Sequence, residues 1–314
     1  MLPELGIESL RLDLPFRLNH VNVFYAEGEN GWTVIDAGLH NEETVAAWDP
    51  ILRDKKVDRI FVTHYHPDHF GYVGAMQKRT GARVFMTETD AEAGKHAWTS
   101  AFLDEMRAYY DRAGIPDHQA DEMRGNTAEF VPRVEPLPKI DHYFQEGEKV
   151  QIGKYEYEVL FTPGHSDGLI VFFNREKSVL LSTDHLLPKI TPNISYWFHG
   201  DKNPLKSYLQ SLKKIEKLDA EYVIPSHGKP FTGANARAKE IRDHHSERLE
   251  TLLGHLGEPS TVYDLCQHLF PKVLTVHETR FAIGETLAHL EYLRYEGDCK
   301  REDNDGVWYY SVAF

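Results

Sequence analysis

The chain has 314 residues with a formal net charge of −14 at pH 7, 41% hydrophobic residues, 12% aromatic residues and two cysteines. That length is enough for a full α/β core and a second small domain, and the composition is typical of an ordinary globular protein. The acidic balance disfavours general binding of nucleic acid, the lack of a long apolar run disfavours a membrane span, and two cysteines are too few for a disulfide framework.

The first segment with clear chemistry is Thr-His-Tyr-His-Pro-Asp-His-Phe-Gly at positions 63–71, which directly follows an apolar run at 60–62. Its candidate metal ligands are His64, His66, Asp68 and His69. In an extended segment alternate side chains leave the same face, so the first two imidazoles can converge on one ion, and the following turn can direct the other two groups towards a second. Imidazole nitrogen and carboxylate oxygen are ordinary ligands of zinc and its first-row neighbours, so the segment predicts a two-metal site.

The segment between Thr87 and Leu137 has a polar, helical pattern that ends in a proline-bearing return, and we expect a helical insertion at about 87–138. It lies between the first and the later groups of candidate ligands. Loops and insertions often rim the active site of a layered fold, so one interpretation is a lid that sets the shape of the substrate. The other interpretation is a scaffold helix pair that only packs on the core.

Three later β-like runs each end in a candidate ligand. The run 157–161 leads to His165, the run 179–181 leads to Asp184, and the run 222–224 leads to His227. Each of these residues alone would be interpreted as part of a turn or a cap. Four groups of functional side chains in this order, each at the end of a strand, instead indicate one site at the edge of a layered α/β fold.

The C-terminal part of the chain changes character. Apolar residues recur every three or four positions from Ala236 to Leu256, which predicts an amphipathic helix, and two shorter helical patterns follow at 261–265 and 279–290. A turn at 303–306 then separates two strand-like pieces. Helices followed by a terminal hairpin resemble a winged helix.

The His-x-His-x-Asp-His motif and the later ligands resemble the metallo-β-lactamase-fold superfamily, and the match covers about two thirds of the chain. The resemblance implies a first metal held by His64, His66 and His165, a second held by Asp68, His69 and His227, and Asp184 as a bridge between them. It also implies two divalent transition-metal ions, with Zn²⁺ expected and Mn²⁺ or Fe²⁺ as alternatives. The run 33–38 looks like the family's early strand, in which Asp36 either supports the metal loop or only caps the strand end.

The chain differs from several branches of this superfamily, and these differences narrow the range of functions that the resemblance implies. Classical zinc β-lactamases commonly carry a cysteine at the second metal, whereas the cysteines here are Cys266 and Cys299, both far downstream. The flavodiiron branch has glutamate in place of the second histidine, and quorum-quenching lactonases place a tyrosine soon after the bridging aspartate; the chain has neither feature. Its overall resemblance is to glyoxalase-II-like hydrolases that end in a small winged-helix domain.

The expected fold is α/β, an αβ/βα sandwich of the metallo-β-lactamase type with a small C-terminal winged-helix-like domain. We place the catalytic domain at 1–233 and the second domain at 234–314. The chain starts without a basic or apolar leader, so we expect a cytoplasmic protein with no membrane partner. A homodimer is left open.

The resulting hypothesis is a dinuclear metal-dependent hydrolase that directs a metal-bridging hydroxide at the carbonyl of a small acyl substrate, which is an ester, thioester or lactone. Asp68 would be both a metal ligand and the catalytic group that orients the hydroxide and carries its proton. Tyr65, His185 and Tyr196 are candidates for substrate binding, and aromatic packing explains each of them at least as well.

The alternative hypothesis is a metal-dependent nuclease or phosphodiesterase that acts on RNA, as some relatives of this two-domain shape do. Binding of phosphate calls for a basic face. The C-terminal part of the chain is acidic instead, with Lys300 and Arg301 as the candidates for a local basic patch. The charge therefore favours a small acyl substrate over nucleic acid.

Overall fold

The structure is a computed structural model that describes residues 1–272 and 274–313. Within those residues the chain forms two six-stranded sheets with helices on their outer faces, followed by helices and a three-stranded sheet. No helix among them has a stretch long and apolar enough to cross a bilayer. Positions 273 and 314 of the predicted second domain lie outside the described residues.

The first sheet holds six strands in the order in which they occur in the chain. They are β1 Ile7–Asp13, β2 His20–Glu27, β3 Trp32–Ile35, β4 Val57–Phe61, β5 Arg83–Met86 and β6 His142–Tyr143. The accompanying helices are α1 Leu2–Leu5, α2 Glu42–Asp54, α3 Pro67–Phe70 and α4 Val73–Thr80. Strands β1, β2 and β3 are antiparallel neighbours, whereas β3 to β6 pair in parallel. The residues that follow β3 and β4 therefore meet at one edge of the sheet.

The second sheet has the strand order β12, β11, β10, β9, β8, β7. Its strands are β7 Lys149–Ile152, β8 Tyr155–Phe161, β9 Ile170–Asn174, β10 Val179–Thr183, β11 Tyr222–Pro225 and β12 Phe231–Thr232. Neighbouring strands are antiparallel except for the parallel pair β10 and β11. This pattern points β8, β10 and β11 in the same direction, so the three predicted ligand-bearing turns lie at one edge.

The two sheets pack face to face between outer helices. Strand β9 shows the layering, because Ile170 and Phe172 belong to the core between the sheets, whereas Val171 and Phe173 pack on the opposite face. That outer face is covered by α8 Pro204–Glu216 and α9 Ala234–Leu253. A strand buried on both faces needs a continuous apolar run rather than an alternating one. The predicted αβ/βα sandwich is confirmed by this arrangement.

The segment of the predicted helical insertion contains three helices, whereas the scaffold interpretation expected a pair. They are α5 Glu88–Ala97, α6 Ser100–Arg112 and α7 Asp117–Ala128, followed by a 3₁₀ turn at Val131–Arg133. The insertion packs on the C-terminal part of the chain: the amide of Tyr263 donates a hydrogen bond to the carbonyl of Ala113 at 3.0 Å. The side chains of His277 and Asn126 also lie within hydrogen-bond distance, at 3.2 Å.

The C-terminal part contains β13 Ser260–Thr261, α10 Val262–Leu269, α11 Val276–Glu296, β14 Cys299–Asn304 and β15 Val307–Val312. Thr261 and Thr275 start the two helices with capping boxes, in which each side chain accepts a hydrogen bond from a backbone amide three residues later. The terminal hairpin is confirmed, with a two-residue turn at Asp305 (φ 52°) and Gly306 (φ 87°). The comparison with a winged helix stays a prediction.

Helix α9 spans both parts of the molecule. Ala238 and Ile241 pack with the core on the second sheet, whereas Leu252 belongs to the cluster shared with the C-terminal helices. The predicted helix 236–256 is thus confirmed with its start two residues earlier and its end at Leu253. The predicted domain boundary after residue 233 falls directly before this shared helix and stays a prediction.

Candidate metal centre

The candidate ligands lie at the edge where the carboxyl ends of the strands meet. The extended residues after β4 lead into α3, whose first residue is Pro67. Proline has a fixed φ and no amide hydrogen, which suits the first position of a helix, so this short helix starts directly after His66. His64 and His66 leave the chain just before it, and the helix carries Asp68 and His69 beside them.

Three histidines form the first group. His64 Nε2 lies 3.1 Å from His66 Nδ1, which in turn lies 2.9 Å from His165 Nε2. Donor atoms around a tetrahedral zinc ion lie roughly 3.3 Å apart when each bond is about 2.0–2.1 Å long. The spacing of the three imidazoles is therefore close to that of a three-histidine metal site.

The second group contains Asp68, His69 and His227. Oδ2 of Asp68 lies 3.4 Å from His227 Nε2 and 3.6 Å from His69 Nε2. Asp184 lies between the groups, with Oδ1 3.5 Å from His69 Nε2 and Oδ2 3.2 Å from His227 Nε2. The same Oδ2 lies 3.4 Å from His165 Nε2 in the first group. The structure thus brings all seven predicted ligands together.

Four of these histidines have a partner on the ring nitrogen that points away from the site. The pairs are His64 Nδ1 with Thr63 Oγ1 (3.0 Å), His69 Nδ1 with Asp36 Oδ2 (2.8 Å), His165 Nδ1 with the Asn193 carbonyl (2.8 Å) and His227 Nδ1 with the His20 carbonyl (2.6 Å). Partners of this kind fix the tautomer and the orientation of a ligating imidazole. Nε2 of each ring is thereby left for the site.

Three buried atoms of the site have no hydrogen-bond partner within the part of the chain that the structure describes. They are His69 Nε2, His227 Nε2 and Asp184 Oδ1. Buried polar atoms without partners are costly and uncommon in folded proteins. Since imidazole nitrogen and carboxylate oxygen are typical donors to divalent transition metals, the residues present fit such ions.

The two groups differ in their affinity for protons. Burial, together with the neighbouring histidines, lowers the pKa of His64 and His66 well below its usual value. Burial alone would lower the pKa of His69 and His227 as well, but the carboxylates of Asp184 and Asp68 raise both above the usual value. The first group is therefore neutral at pH 7, whereas the second holds protons that a metal ion must displace.

Asp36 supports the site from behind. Its backbone is left-handed (φ 60°), and its carboxylate accepts hydrogen bonds from the amide and the hydroxyl of Thr63, each at 2.9 Å. A left-handed conformation is strained for a residue other than glycine, and such strain is concentrated at functional sites. Because the same carboxylate also contacts His69, Asp36 positions both the start of the ligand loop and one candidate ligand.

A second buried carboxylate, Asp90 in the insertion, joins two ligand-bearing loops. It accepts hydrogen bonds from the amide of Tyr65 (3.2 Å), the hydroxyl of Ser166 (2.6 Å) and the amide of Gly168 (2.6 Å). Burial raises the pKa of Asp90 to about 7, although these hydrogen bonds oppose the shift. Sequence reasoning missed this residue, because nothing in the polar pattern of the insertion distinguishes it from its neighbours.

A cavity of about 910 Å³ opens beside the candidate ligands. Four of the candidate ligands line it, namely His66, Asp68, His165 and Asp184. The insertion contributes Trp98, Phe102, Met106 and Phe130 to its wall, and α11 contributes His277, Arg280, Phe281 and Glu285. The insertion is thus part of the wall of the site, as the lid interpretation requires. The C-terminal helix lines the cavity as well, which the sequence did not indicate.

The three candidate substrate-binding residues have different positions. Tyr65 lines the cavity. His185 is fully buried with its ring against Tyr208 at 5.3 Å, and burial lowers its pKa to about 3. Tyr196 is buried against Phe198 at 5.1 Å. Neither of these two side chains is among the described residues that line the cavity, so their positions support aromatic packing rather than the predicted substrate contact.

A further buried cluster lies behind the cavity in α9 and α11. His245 Nδ1 and His289 Nε2 are 3.0 Å apart, and Glu285 completes the group. Arg248 and Asn193 already contact both oxygens of this carboxylate, each at 3.0 Å. A cation next to the cluster opposes the binding of another, so this group is best explained as a buried polar network.

Comparison with known proteins agrees with the geometry. Residues 17–227 match the family model of the metallo-beta-lactamase superfamily, and residues 249–313 match that of the metallo-beta-lactamase-like C-terminal domain. A solved metallo-beta-lactamase family protein from Thermus thermophilus is 34% identical, with a TM-score of 0.85 over 98% of both chains. A probable metallo-hydrolase of Bacillus subtilis is 27% identical over 92% of both chains. A hydroxyacylglutathione hydrolase of Cereibacter sphaeroides is 27% identical over 59% of this chain and 53% of its own length.

Proposed function

Because the chain belongs to the metallo-β-lactamase superfamily, we propose that it is a dinuclear hydrolase that attacks the carbonyl carbon of an ester, thioester or lactone and cleaves its acyl C–O or C–S bond. The observation that carries this proposal is a pair of adjoining donor groups beside one cavity, with Asp184 in contact with both. A structural metal ion needs only four donors in a closed site. Seven donors beside an open cavity are better explained by a catalytic two-ion centre.

The chemistry of the seven donor side chains also limits which metal ions can bind. We assign the first ion to His64, His66 and His165, the second to Asp68, His69 and His227, and Asp184 to both. Imidazoles and carboxylates suit Zn²⁺, and Mn²⁺ or Fe²⁺ accept the same donors. We therefore propose two divalent transition-metal ions with zinc as the native metal.

Divalent ions bound here would supply Lewis acidity, which lowers the pKa of water towards neutrality and polarises a substrate carbonyl. Among the residues of the chain, Asp68 has the position of a proton carrier, because its side chain is 18% exposed and lines the cavity. Oδ2 of Asp68 contacts His69 and His227, so we assign proton transfer to the leaving atom to the other oxygen, Oδ1.

Tyr65 remains the candidate for contact with the substrate. It lines the cavity, and its ring centroid lies 5.1 Å from that of His66. Burial raises its pKa well above the usual value, with a further contribution from Asp90, so the phenol stays protonated at neutral pH. A neutral phenol can donate a hydrogen bond to the oxygen that becomes negatively charged during hydrolysis.

The substrate class follows from the chemistry of the site and from the relatives. The name of the Bacillus relative gives a hydrolase without a substrate, and the Cereibacter relative is a hydroxyacylglutathione hydrolase that matches over about half of its length. A thioester is therefore the first substrate class to test, with esters and lactones beside it.

An enzyme that acts on RNA needs a basic surface, and the sequence offered Lys300 and Arg301 as candidates for one. In the structure both side chains have acidic partners. Lys300 pairs with Glu302 at 2.9 Å, and Arg301 pairs with Glu291 at 2.9 Å while its guanidinium stacks on the ring of Trp308 at 3.9 Å. Each cation thus has an acidic partner, and Arg301 shares its partner Glu291 with Arg294. Since phosphate binding depends on available positive charge, this arrangement favours the acyl substrate.

The experiment is a hydrolysis assay of the purified, zinc-loaded protein against a panel of thioesters, esters, lactones, phosphodiesters and single-stranded RNA. We expect cleavage of at least one carbonyl substrate and no cleavage of RNA. His66→Ala should abolish this activity, and His118→Ala, which changes an exposed histidine of α7, should leave it unchanged. Cleavage of RNA alone, with His66→Ala inactive, would transfer the proposal to the nuclease alternative.

A further inference from the structure

Helix α11 places one arginine in the wall of the cavity. Arg280 is only 8% exposed, yet it lines the same cavity as His66 and Asp68. It lies on the first third of the helix, next to Phe281, and reaches the cavity from the C-terminal part of the chain. No motif in the sequence distinguishes Arg280 from the other arginines.

The surroundings of the guanidinium are aromatic. Its Cζ lies 4.6 Å from the ring centroid of Phe281 and 5.9 Å from that of Phe130. Nε is buried without a hydrogen-bond partner, and the described residues provide no carboxylate that pairs with this side chain. Burial lowers the pKa of Arg280, although Tyr110 and Tyr65 favour its charged form. A buried guanidinium stays charged, so it strongly favours an anion as its partner.

The other charges of the cavity are already paired or solvated. Arg17 is exposed and contacts Glu278 at 3.3 Å, and Glu285 contacts Arg248 at 3.0 Å. Arg133 stacks on Phe130 and is partly open to solvent. Among the cavity-lining cations that the structure describes, Arg280 is thus the one that is both deeply buried and without an anionic partner.

We propose that Arg280 binds a carboxylate of the substrate, so that the enzyme prefers acyl substrates that carry a free carboxylate besides the bond to be cleaved. This inference rests on the proposed hydrolase function. A guanidinium presents two parallel N–H groups that match the two oxygens of a carboxylate. One buried positive charge matches one negative charge, which favours a carboxylate over a dianionic phosphate group.

The position of Arg280 fits this role. Arg280 lines the same cavity as His66 and Asp68, so a substrate bound in this cavity can contact both the candidate metal centre and the guanidinium. Phe130 and Phe281 flank the charged group and restrict access of water to it. Exclusion of water strengthens a charge-assisted hydrogen bond. The C-terminal part of the chain would then determine substrate specificity.

The experiment compares matched thioesters on the zinc-loaded, full-length protein. One carries a succinyl group with its free carboxylate, the second has a primary amide in place of that carboxylate, and the third has a phosphonate. The parent protein should prefer the carboxylate. Arg280→Met should lower kcat/KM on the carboxylate substrate about 10- to 100-fold, which is the usual effect of a charge-assisted hydrogen bond. On the amide substrate its kcat/KM should stay close to the parental value.

Two variants control for charge and packing. Arg280→Lys keeps the positive charge but not the planar pair of donors, so it should recover part of the preference. Arg17→Met removes an exposed arginine that lines the same cavity and pairs with Glu278, and it should leave the preference unchanged. If Arg280→Met and Arg280→Lys lowered kcat/KM equally on the carboxylate and amide substrates, Arg280 would have a packing role only, and the inference would be overturned.

A binding measurement separates this inference from the proposed function. Non-hydrolysable analogues of these substrates, in which a stable amide bond replaces the thioester bond, are titrated calorimetrically into the zinc-loaded parent and into Arg280→Met. Arg280-dependent binding of the carboxylate analogue without cleavage of any thioester would contradict the hydrolase proposal and support this inference. Cleavage of thioesters with no preference for the carboxylate, or with preference for the phosphonate, would overturn the carboxylate assignment and leave the hydrolase proposal intact.

Discussion

The side-chain amide of Asn193 donates a hydrogen bond to Oε2 of Glu285 at 3.0 Å, across the boundary between the sandwich and helix α11. The backbone carbonyl of the same asparagine accepts a hydrogen bond from Nδ1 of His165 at 2.8 Å. A candidate metal ligand is therefore oriented by a residue that the C-terminal helix fixes. Loss of such a partner of a ligating histidine typically lowers metal affinity by about 10- to 100-fold.

Replacement of Glu285 by alanine tests this connection. The amide of Asn193 and the guanidinium of Arg248 would lose a partner inside the protein, which should lower the free energy of unfolding by about 1–3 kcal/mol. The affinity of the first site for zinc should fall about tenfold, because His165 is held less firmly. Thermal unfolding and zinc titration measure the two effects. Glu250→Ala, on the exposed face of α9, is the control, and a Glu285→Ala protein that matches this control would contradict the connection.

Replacement of Asp36 by asparagine tests whether its carboxylate holds the loop at 63–71, which carries four candidate ligands, in place. Asparagine keeps the size but loses the charge, so it cannot accept all the hydrogen bonds that Thr63 and His69 now donate. We expect zinc affinity of the second site to fall by about 10- to 100-fold. Competition with a chelator of known affinity measures this change. Asp54→Asn, at the exposed end of α2, should retain parental affinity; equal affinities in the two variants would show that Asp36 only caps its strand.

The protonation of the site predicts how metal binding depends on pH. The pKa of His69 and His227 is raised in the metal-free protein, so both tend to hold protons at neutral pH, whereas the lowered pKa of His64 and His66 keeps those rings neutral. Because metal ions bind the neutral imidazole, the affinity of the second site should increase as pH rises through the raised pKa of these two rings, and that of the first site should change little.

Zinc titrations at several pH values, with a pH indicator to count released protons, measure this difference. The variant His227→Ala disables the second site and serves as the reference for the first. It should release fewer protons per chain at pH 7 than the parent does, because metal binding at the second site no longer displaces the protons of His69 and His227. Identical pH dependence of zinc affinity in the parent and in the variant would show that the two groups are not protonated differently.

The local motif explains why residues that the structure brings together could be predicted from the sequence as candidate ligands. His64, His66, Asp68 and His69 lie within six positions, and the other three candidates follow strands whose apolar runs are visible in the sequence. The polar residues behind the ligands could not be predicted, because their partners are remote in the chain. Asn193 and Glu285 are 92 positions apart, and Asp90 and Gly168 are 78 positions apart.

His185 directly follows the candidate ligand Asp184 in the sequence, but this closeness does not place its side chain in the cavity. Thr183 has a left-handed backbone (φ 47°), which turns the chain so that Asp184 reaches the candidate metal centre. The next side chain is then directed into the core beside Tyr208, whose hydroxyl donates a hydrogen bond to the carbonyl of His185 at 2.9 Å. The direction of a side chain after a strained residue depends on tertiary packing, which the sequence pattern does not contain.

Replacement of Asp68 by asparagine separates catalysis from metal binding. Asparagine keeps an oxygen donor but loses the charge and the basic group, so kcat should fall by about 100-fold or more if Asp68 transfers the proton. The first site should keep its metal, because His64, His66 and His165 are unchanged. His165→Ala is the contrasting variant and should lose metal as well as rate. Full metal content with near-parental kcat in Asp68→Asn would show that this carboxylate is dispensable.

The most direct test of the two-metal hydrolase is recovery of thioester or lactone hydrolysis when metal-stripped protein is titrated with zinc. Activity should be lost on stripping and should rise to a plateau that is reached at about two zinc ions per chain, as expected for a two-ion site. A stripped, folded protein that retains full hydrolytic activity, or one that gains none at any zinc or manganese concentration, would contradict the account.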